Sequence, residues 1–372
     1  MKLHRIGPVA AVFAVAALAL TACGSDSPTA TADTAAPNGG SSAAAVSGTL
    51  TGSGASSQKS AMEAWKSGFE AANAGTMVQY SPDGSGAGRK AFLAGGAQFA
   101  GSDAYLKDEE IEASKQVCGP EGAFNVPAYV SPIAVAFNLP GVQTLDLDAA
   151  TIAKIFKLEI TTWNDPAIAA LNEGVSLPET AITVVHRNDE SGTTENFVDY
   201  LSATAKDVWG YEVSGDWPKD LASENAKGTS GVVATTTATE GAITYADHSA
   251  VGQLGTVNVK VGEDFTKISS ASAAKGVEAA TPVTGRSALD MSLDLKRDTT
   301  ESGSYPIILV SYHVFCSSYK DQETADLVKG FGEYVLSDAG QEEAAASAGN
   351  APLSAKMSEA AIKSVKSIKV GS

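Results

Sequence analysis

Ile182-Thr183-Val184-Val185-His186 is an apolar, β-branched run that passes straight into Arg187-Asn188-Asp189-Glu190-Ser191-Gly192-Thr193-Thr194. Beyond it, Phe197, Tyr200 and Leu201 recur at helical spacing. The stretch reads as strand, Gly/Ser/Thr loop, helix. Such a loop offers free backbone N–H groups, hydroxyls and the positive end of a helix dipole. Glycine lets the backbone come close to an anion, and Arg187 adds a planar fork suited to two oxygens at once. A single loop of this kind is weak evidence, because helix N-caps are routinely Ser, Thr or Gly.

The same unit recurs upstream. Thr49-Leu50-Thr51 leads through Gly52-Ser53-Gly54-Ala55-Ser56-Ser57 into a helix whose apolar face carries Met62, Trp65, Phe69 and Ala72. Residues 77–80 form the next strand, followed by a loop, Asp83-Gly84-Ser85-Gly86-Ala87-Gly88, and a helix from Arg89. Gln98-Phe99-Ala100-Gly101-Ser102-Asp103 ends a third strand before an acidic amphipathic helix over residues 108–115. Repeated strand–loop–helix units predict an α/β fold with mixed or parallel sheets flanked by helices. Three such loops at strand C-terminal ends, one carrying Arg187, point to an oxyanion cradle. Nucleotide motifs fail: G-x-x-x-x-G-K-[ST] is absent, and residues 84–88 lack the G-x-G-x-x-G spacing.

The chain has 372 residues, longer than one core usually serves, so two lobes are expected. Apolar residues make up 44%, enough for a packed globule. Lys and Arg total 26 against 43 Asp and Glu, a net charge of −17, which argues against a nucleic-acid partner. At the start, Lys2 and Arg5 precede an apolar run over residues 8–20, too short to span a membrane but suited to an export signal. Leu20-Thr21-Ala22-Cys23 resembles a bacterial lipobox, so residues 1–22 read as a signal peptide and Cys23 as a lipidated anchor. Residues 23–47 read as a disordered tether rich in Ser, Thr, Ala and Gly. Loss of Lys2 and Arg5 would take the charge to −19.

Taken in order, Leu50-Thr51-Gly52-Ser53-Gly54-Ala55-Ser56, Gly84-Ser85-Gly86-Ala87-Gly88, Gly101-Ser102-Asp103-Ala104 and the Arg187–Thr194 stretch resemble the phosphate-binding protein of the ABC-type phosphate importer. Trp163-Asn164-Asp165-Pro166 and Tyr305-Pro306-Ile307 also fit. The resemblance implies a two-lobed, hinged, periplasmic-binding-protein-like fold that closes on phosphate. Lobe 1 would comprise residues 48–130 plus 306–372, and lobe 2 residues 131–305, with the crossings near 129–131 and 304–306. It implies Ser56 and Ser85 as hydroxyl donors, Ser57 as an amide donor, and Asp103 as the acceptor. Arg187 would be the cation, held by Asp189, with Ser191, Gly192 and Thr193 at a helix N-terminus. An acceptor beside an anion makes sense if the anion carries a proton, as phosphate does near neutral pH and sulfate does not.

Three positions, in two places, depart from the family. Ser56 and Ser57 stand where Thr and an aromatic residue are usual, and Glu190 stands where glycine is usual. A carboxylate at 190 must point away from the anion or weaken its binding, and it would be strained if φ were positive. The implied partners are inorganic phosphate and the permease and ATPase subunits of an importer. The expected protein is a monomer, lipid-anchored to the outer face of the cytoplasmic membrane, using no cofactor or metal. No G-x-S-x-G, H-E-x-x-H or Cys/His cluster suggests an enzyme. Readings kept beside this one are a binder of another tetrahedral oxyanion, a phosphatase-like hydrolase and a surface adhesin. Cys118 and Cys316 both fall in lobe 1, so a disulfide between them is expected.

Overall fold

The computed structural model describes residues 46–371. The signal peptide read at residues 1–22, Cys23 and the tether up to residue 45 lie outside the described residues. The chain begins as β1 (Gly48–Gly54), α1 (Lys59–Ala72), β2 (Thr76–Ser81), α2 (Ser85–Leu93), β3 (Phe99–Ser102) and α3 (Asp108–Cys118). Next come β4 (Ala123–Phe137), β5 (Thr144–Leu147), α4 (Ala149–Phe156), α5 (Pro166–Ala169), β6 (Thr183–Arg187), α6 (Gly192–Thr204) and α7 (Lys206–Trp209). β7 (Glu224–Ala226), α8 (Gly228–Ala238), β8 (Ala242–Asp247), β9 (Gly255–Val261), β10 (Asp264–Thr266) and α9 (Ser270–Glu278) follow. The chain ends with β11 (Thr281–Pro282), β12 (Leu293–Asp294), β13 (Ile308–Cys316), β14 (Ser318–Tyr319), α10 (Gln322–Leu336), α11 (Asp338–Ala348), α12 (Ala355–Lys366) and β15 (Lys369–Val370).

Eleven strands make one mixed sheet whose main path runs β2-β1-β3-β13-β4-β8-β6-β7. Parallel pairs β1–β2, β1–β3, β6–β8 and β6–β7 come from the strand–loop–helix units. The long β4 and β13 run antiparallel to each other at the centre. Every residue of β4 and β13 is buried, so both read as near-continuous apolar runs, as expected for strands covered on both faces. β4 belongs to both halves of the sheet. Its start pairs with β13 beside β1–β3, and its end pairs with β8 and β9. We call these the first and second halves. The strand ladder slips between Ser311 and Tyr312 opposite Tyr129 and Pro127, where proline supplies no N–H. The extra residue, Ala128, lies on β4, and on β13 the neighbouring Ser311 side chain bonds Asp103.

In the first half, Ala61, Met62, Trp65 and Phe69 of α1 are buried against the core. Ala72, expected on the same face, is exposed, because α1 ends there as Asn73 caps it with a bond from Nδ2 to the Phe69 carbonyl. The helix expected from Arg89 already starts at Ser85, so Ser85-Gly86-Ala87-Gly88 is its first turn and not a loop. Gly84, at φ +107°, makes the turn into it. A side chain at Gly88 would run into the backbone of Ser53 and Gly54 on β1, so glycine lets α2 lie close to the strand. Cys118, ending α3, is disulfide-bonded to Cys316, ending β13, with Cα atoms 4.6 Å apart. Residues 281–294 leave the second half and lie back on the first. There Asp290 accepts from the Asn125 backbone and side chain, and Arg286 stacks on Tyr105. Among the described residues, no helix is long and apolar enough to cross a membrane.

Candidate functional site

Four helix N-termini meet where the two halves face each other. α1 begins after Ser56, Ser57 and Gln58, and α2 begins at Ser85. α6 begins after Ser191, whose side chain accepts from the Thr194 N–H, and α8 begins at Gly228. Each start leaves N–H groups without helical partners and a partial positive charge. Ser56, Ser57, Ser85, Asp103, Arg187, Ser191, Gly192 and Thr193 are all buried here, although they come from four separate segments of the chain.

Asp103 sits at the centre with no basic side chain bonded to it. Ser57 Oγ lies 2.8 and 2.7 Å from its two carboxylate oxygens. Ser311 Oγ donates at 2.7 Å and Thr193 Oγ1 at 3.1 Å. The Asp103 N–H donates to Ser85 Oγ at 3.1 Å, and Asn196 Nδ2 reaches its carbonyl at 2.7 Å. Burial pushes the Asp103 carboxyl above its ordinary pKa, although the three hydroxyls and the Arg187 charge pull the other way. Hydroxyls rotate and can either donate or accept, so this ring can turn its donors from Asp103 to another acceptor.

Arg187 and Asp189 form the opposite wall. Arg187 Nε donates to Asp189 Oδ1 at 2.7 Å, and its Nη2 bonds Asp189 Oδ2. The N–H of Gly228 also donates to Asp189 Oδ1 at 3.0 Å. Burial pushes the Asp189 carboxyl up, but the Arg187 hydrogen bond and charge, with the Gly228 N–H, hold it below its ordinary value. Tyr245 stacks on Phe197 at 4.6 Å, and its hydroxyl accepts from the Arg187 N–H. His186 turns away from the cleft and stacks on Trp217 at 5.1 Å.

The glycines serve the meeting of the halves. A Cβ on Gly192 would lie 2.7 Å from Asp103 Cβ and 2.8 Å from Ser85 Oγ, both on the other side of the cleft. One on Gly86 would lie 2.6 Å from Glu190 Cβ. Positions that read as room for an anion are therefore also where the two walls touch. Glu190 does not have positive φ; among the described non-glycine residues only Leu158, away from the site, does.

Several site residues escaped the sequence reading. Thr229 Oγ1 and N–H both lie 3.0 Å from Ser56 Oγ across the cleft. The signal was present, since Ala226-Lys227-Gly228-Thr229-Ser230-Gly231 is another strand–glycine–helix junction. Ser311 and Gln58 carry no comparable signal. Gln58 Nε2 donates to Ser311 Oγ at 2.7 Å and so orients it. Arg297 is buried and bonds Asn196, Asp199 and the carbonyls of Pro306 and Ile308, fixing α6 beside Asp103. A cavity of about 510 Å³ borders Asp103 on the side of Tyr105, Glu195 and Tyr312. Among the described residues, no cluster of three or more His, Cys, Asp or Glu is arranged to hold a metal ion.

Residues 39–339 match the family model described as a PBP superfamily domain. The chain is 38% identical over 340 residues to the phosphate-binding protein PstS 3 of Mycobacterium leprae, covering 89% of this chain and 90% of that protein. It is 36% identical over 346 residues to PstS 2 of Mycobacterium tuberculosis, with the same coverage. Its fold is similar to that of PfluDING, a high affinity periplasmic phosphate-binding protein solved with phosphate (TM-score 0.67, 22% identity, 84% of this chain and 92% of that one). It is equally similar to a phosphate-binding protein from Stenotrophomonas maltophilia (TM-score 0.66, 22% identity, 85% and 93%). Two-lobed architecture, the ordered loops and identity over most of the length thus converge: the chain belongs to the PBP superfamily, in the family of PstS phosphate-binding proteins.

Proposed function

We propose that this chain captures inorganic phosphate between its halves and delivers it to the permease and ATPase subunits of an ABC phosphate importer. Lobe 1 comprises residues 48–130 and 306–372, and lobe 2 residues 131–305, with the 281–294 strap folded back on lobe 1. Arg187, held by Asp189, presents its remaining donors to the anion. Ser56, Ser57, Ser85, Ser191, Gly192 and Thr193 supply hydroxyls and N–H groups at helix starts. Asp103 accepts the proton of hydrogen phosphate. One observation carries this reading: a buried carboxylate without a basic partner is ringed by the rotatable hydroxyls of Ser57, Thr193 and Ser311. A buried acceptor repels a fully ionised tetrahedral anion and bonds one that carries a proton.

No bond is made or broken in this role. His186, next to the cradle in sequence, is stacked on Trp217 with Nδ1 against the Arg187 carbonyl, so it serves no nucleophile. The protein works as an exported monomer, lipid-anchored through Cys23 on the outer face of the membrane. Calorimetric titration of the wild type with phosphate and with sulfate tests the reading, alongside a phosphomonoester turnover assay. Phosphate heat without sulfate heat or turnover is expected. Equal response to both anions, or hydrolysis, would overturn it.

A further inference from the structure

Glu190 lies on the second half, between Asp189 and Ser191 of the cradle, yet its side chain reaches the first half. Its Oε1 accepts from Arg89 Nη2 at 2.8 Å and its Oε2 from Lys90 Nζ at 2.6 Å. Its carbonyl accepts from the Gly86 N–H at 3.1 Å. One residue thus grips the first turns of α2 by both main chain and side chain. Gly86 has no Cβ at the place where Glu190 docks. Arg89 is buried and keeps its own partners, Glu110 at 2.9 Å and Ser102 at 3.2 Å, within the first half. When the cleft opens, Arg89 therefore stays paired, whereas Glu190 loses both of its cations. Farther off, Lys107 on the first half also favours the Glu190 charge. On the other side of the mouth, Lys227 reaches Asp83 at 3.0 Å across the same gap, but both are well exposed, so that pair is weak.

We propose that Glu190 is a positioning residue that latches the closed cleft onto Arg89 and Lys90 and thereby slows the release of bound phosphate. The inference rests on the phosphate-binding reading. It meets the condition set for a carboxylate at this position: the charge is spent on two cations of the opposite wall and turned from the anion. Removing a half-buried charge pair acts mainly on dissociation, whereas removing a rim charge acts mainly on association.

Stopped-flow phosphate release should therefore rise about tenfold in Glu190→Gln, with association changed less than twofold. Lys90→Gln should give a smaller rise in the same direction, and 0.5 M salt should shrink the difference between wild type and variants. Glu112→Gln, which breaks only the Lys115 pair within α3, serves as control and should change neither rate. Unchanged or slower release in Glu190→Gln would overturn the latch, and slower release would show that the carboxylate repels the anion. Hydrogen exchange at the Gly86 amide, measured without phosphate, judges the latch separately: faster exchange in Glu190→Gln supports it and equal exchange refutes it. If the wild type gave no phosphate response at all, the functional reading would fail while the exchange result still decided the latch.

Discussion

Asp103, buried, and Asp189, half-buried, are carboxylates on opposite walls of one cleft, and their surroundings differ in kind. Asp189 holds Arg187 through both of its oxygens and takes a backbone N–H from Gly228. Asp103 meets only neutral donors, the hydroxyls of Ser57, Thr193 and Ser311. The first is committed, since its charge is balanced and its bonds aim a guanidinium. The second keeps acceptor capacity that rotating hydroxyls can release. In the proposed function two chemically identical side chains thus do separate jobs, one orienting a cation and one testing whether the anion carries a proton.

The largest break in this comparison comes from the committed wall. Arg187→Met removes the cation and leaves the half-buried Asp189 without its partner. Phosphate affinity should fall by roughly a hundredfold or more, read by calorimetry. Loss of less than about tenfold would mean that the helix starts carry the anion without the guanidinium. Gly86→Ala leaves both walls intact but sets a Cβ against Glu190 where they meet. It should weaken phosphate binding by roughly tenfold while the ligand-free melting temperature changes little, because alanine's helix preference offsets the contact with Glu190 that is lost. A lowered melting temperature with unchanged affinity would place Gly86 in folding alone.

The smallest effect concerns stability and has opposite signs on the two walls. Asp103 is held above its ordinary pKa, so in the folded protein it keeps its proton after the unfolded chain has lost it. That favours folding at low pH and turns into a cost as pH rises through the raised value. Asp189 is held below its ordinary pKa, so its contribution is present above the unfolded value and fades as pH falls through the lowered one. At pH 7 without phosphate, Asp103→Asn should raise the melting temperature and Asp189→Asn lower it, each by roughly a few degrees. Shifts of the same sign would contradict the division of roles.

The site was legible where chemistry and chain geometry coincide. Ser57, Ser85 and Ser191 stand at strand-to-helix junctions, and such junctions need small polar residues whatever they bind. Asp103, Arg187 and Asp189 followed from the resemblance that these junctions carry as an ordered set. Thr229 lies at a junction of the same form, between β7 and α8. Ser311 was hidden, because a strand buried on both faces has no alternation to say which way a serine points. Its partners, Asp103 and Gln58, lie more than two hundred residues earlier in the chain. Which way Glu190 points was hidden for the same reason, since its partners Arg89 and Lys90 lie about a hundred residues earlier and only the fold brings them together.

The central claim is that Asp103 accepts the proton of the bound anion. Competition calorimetry on Asp103→Asn, with sulfate and phosphate at the same pH, tests it most directly. The amide can donate as well as accept, so the variant should bind phosphate more weakly, acquire sulfate binding and lose most of the wild type's preference. If the variant rejected sulfate as completely as the wild type does, selectivity would lie elsewhere in the cradle and the account given for Asp103 would be wrong.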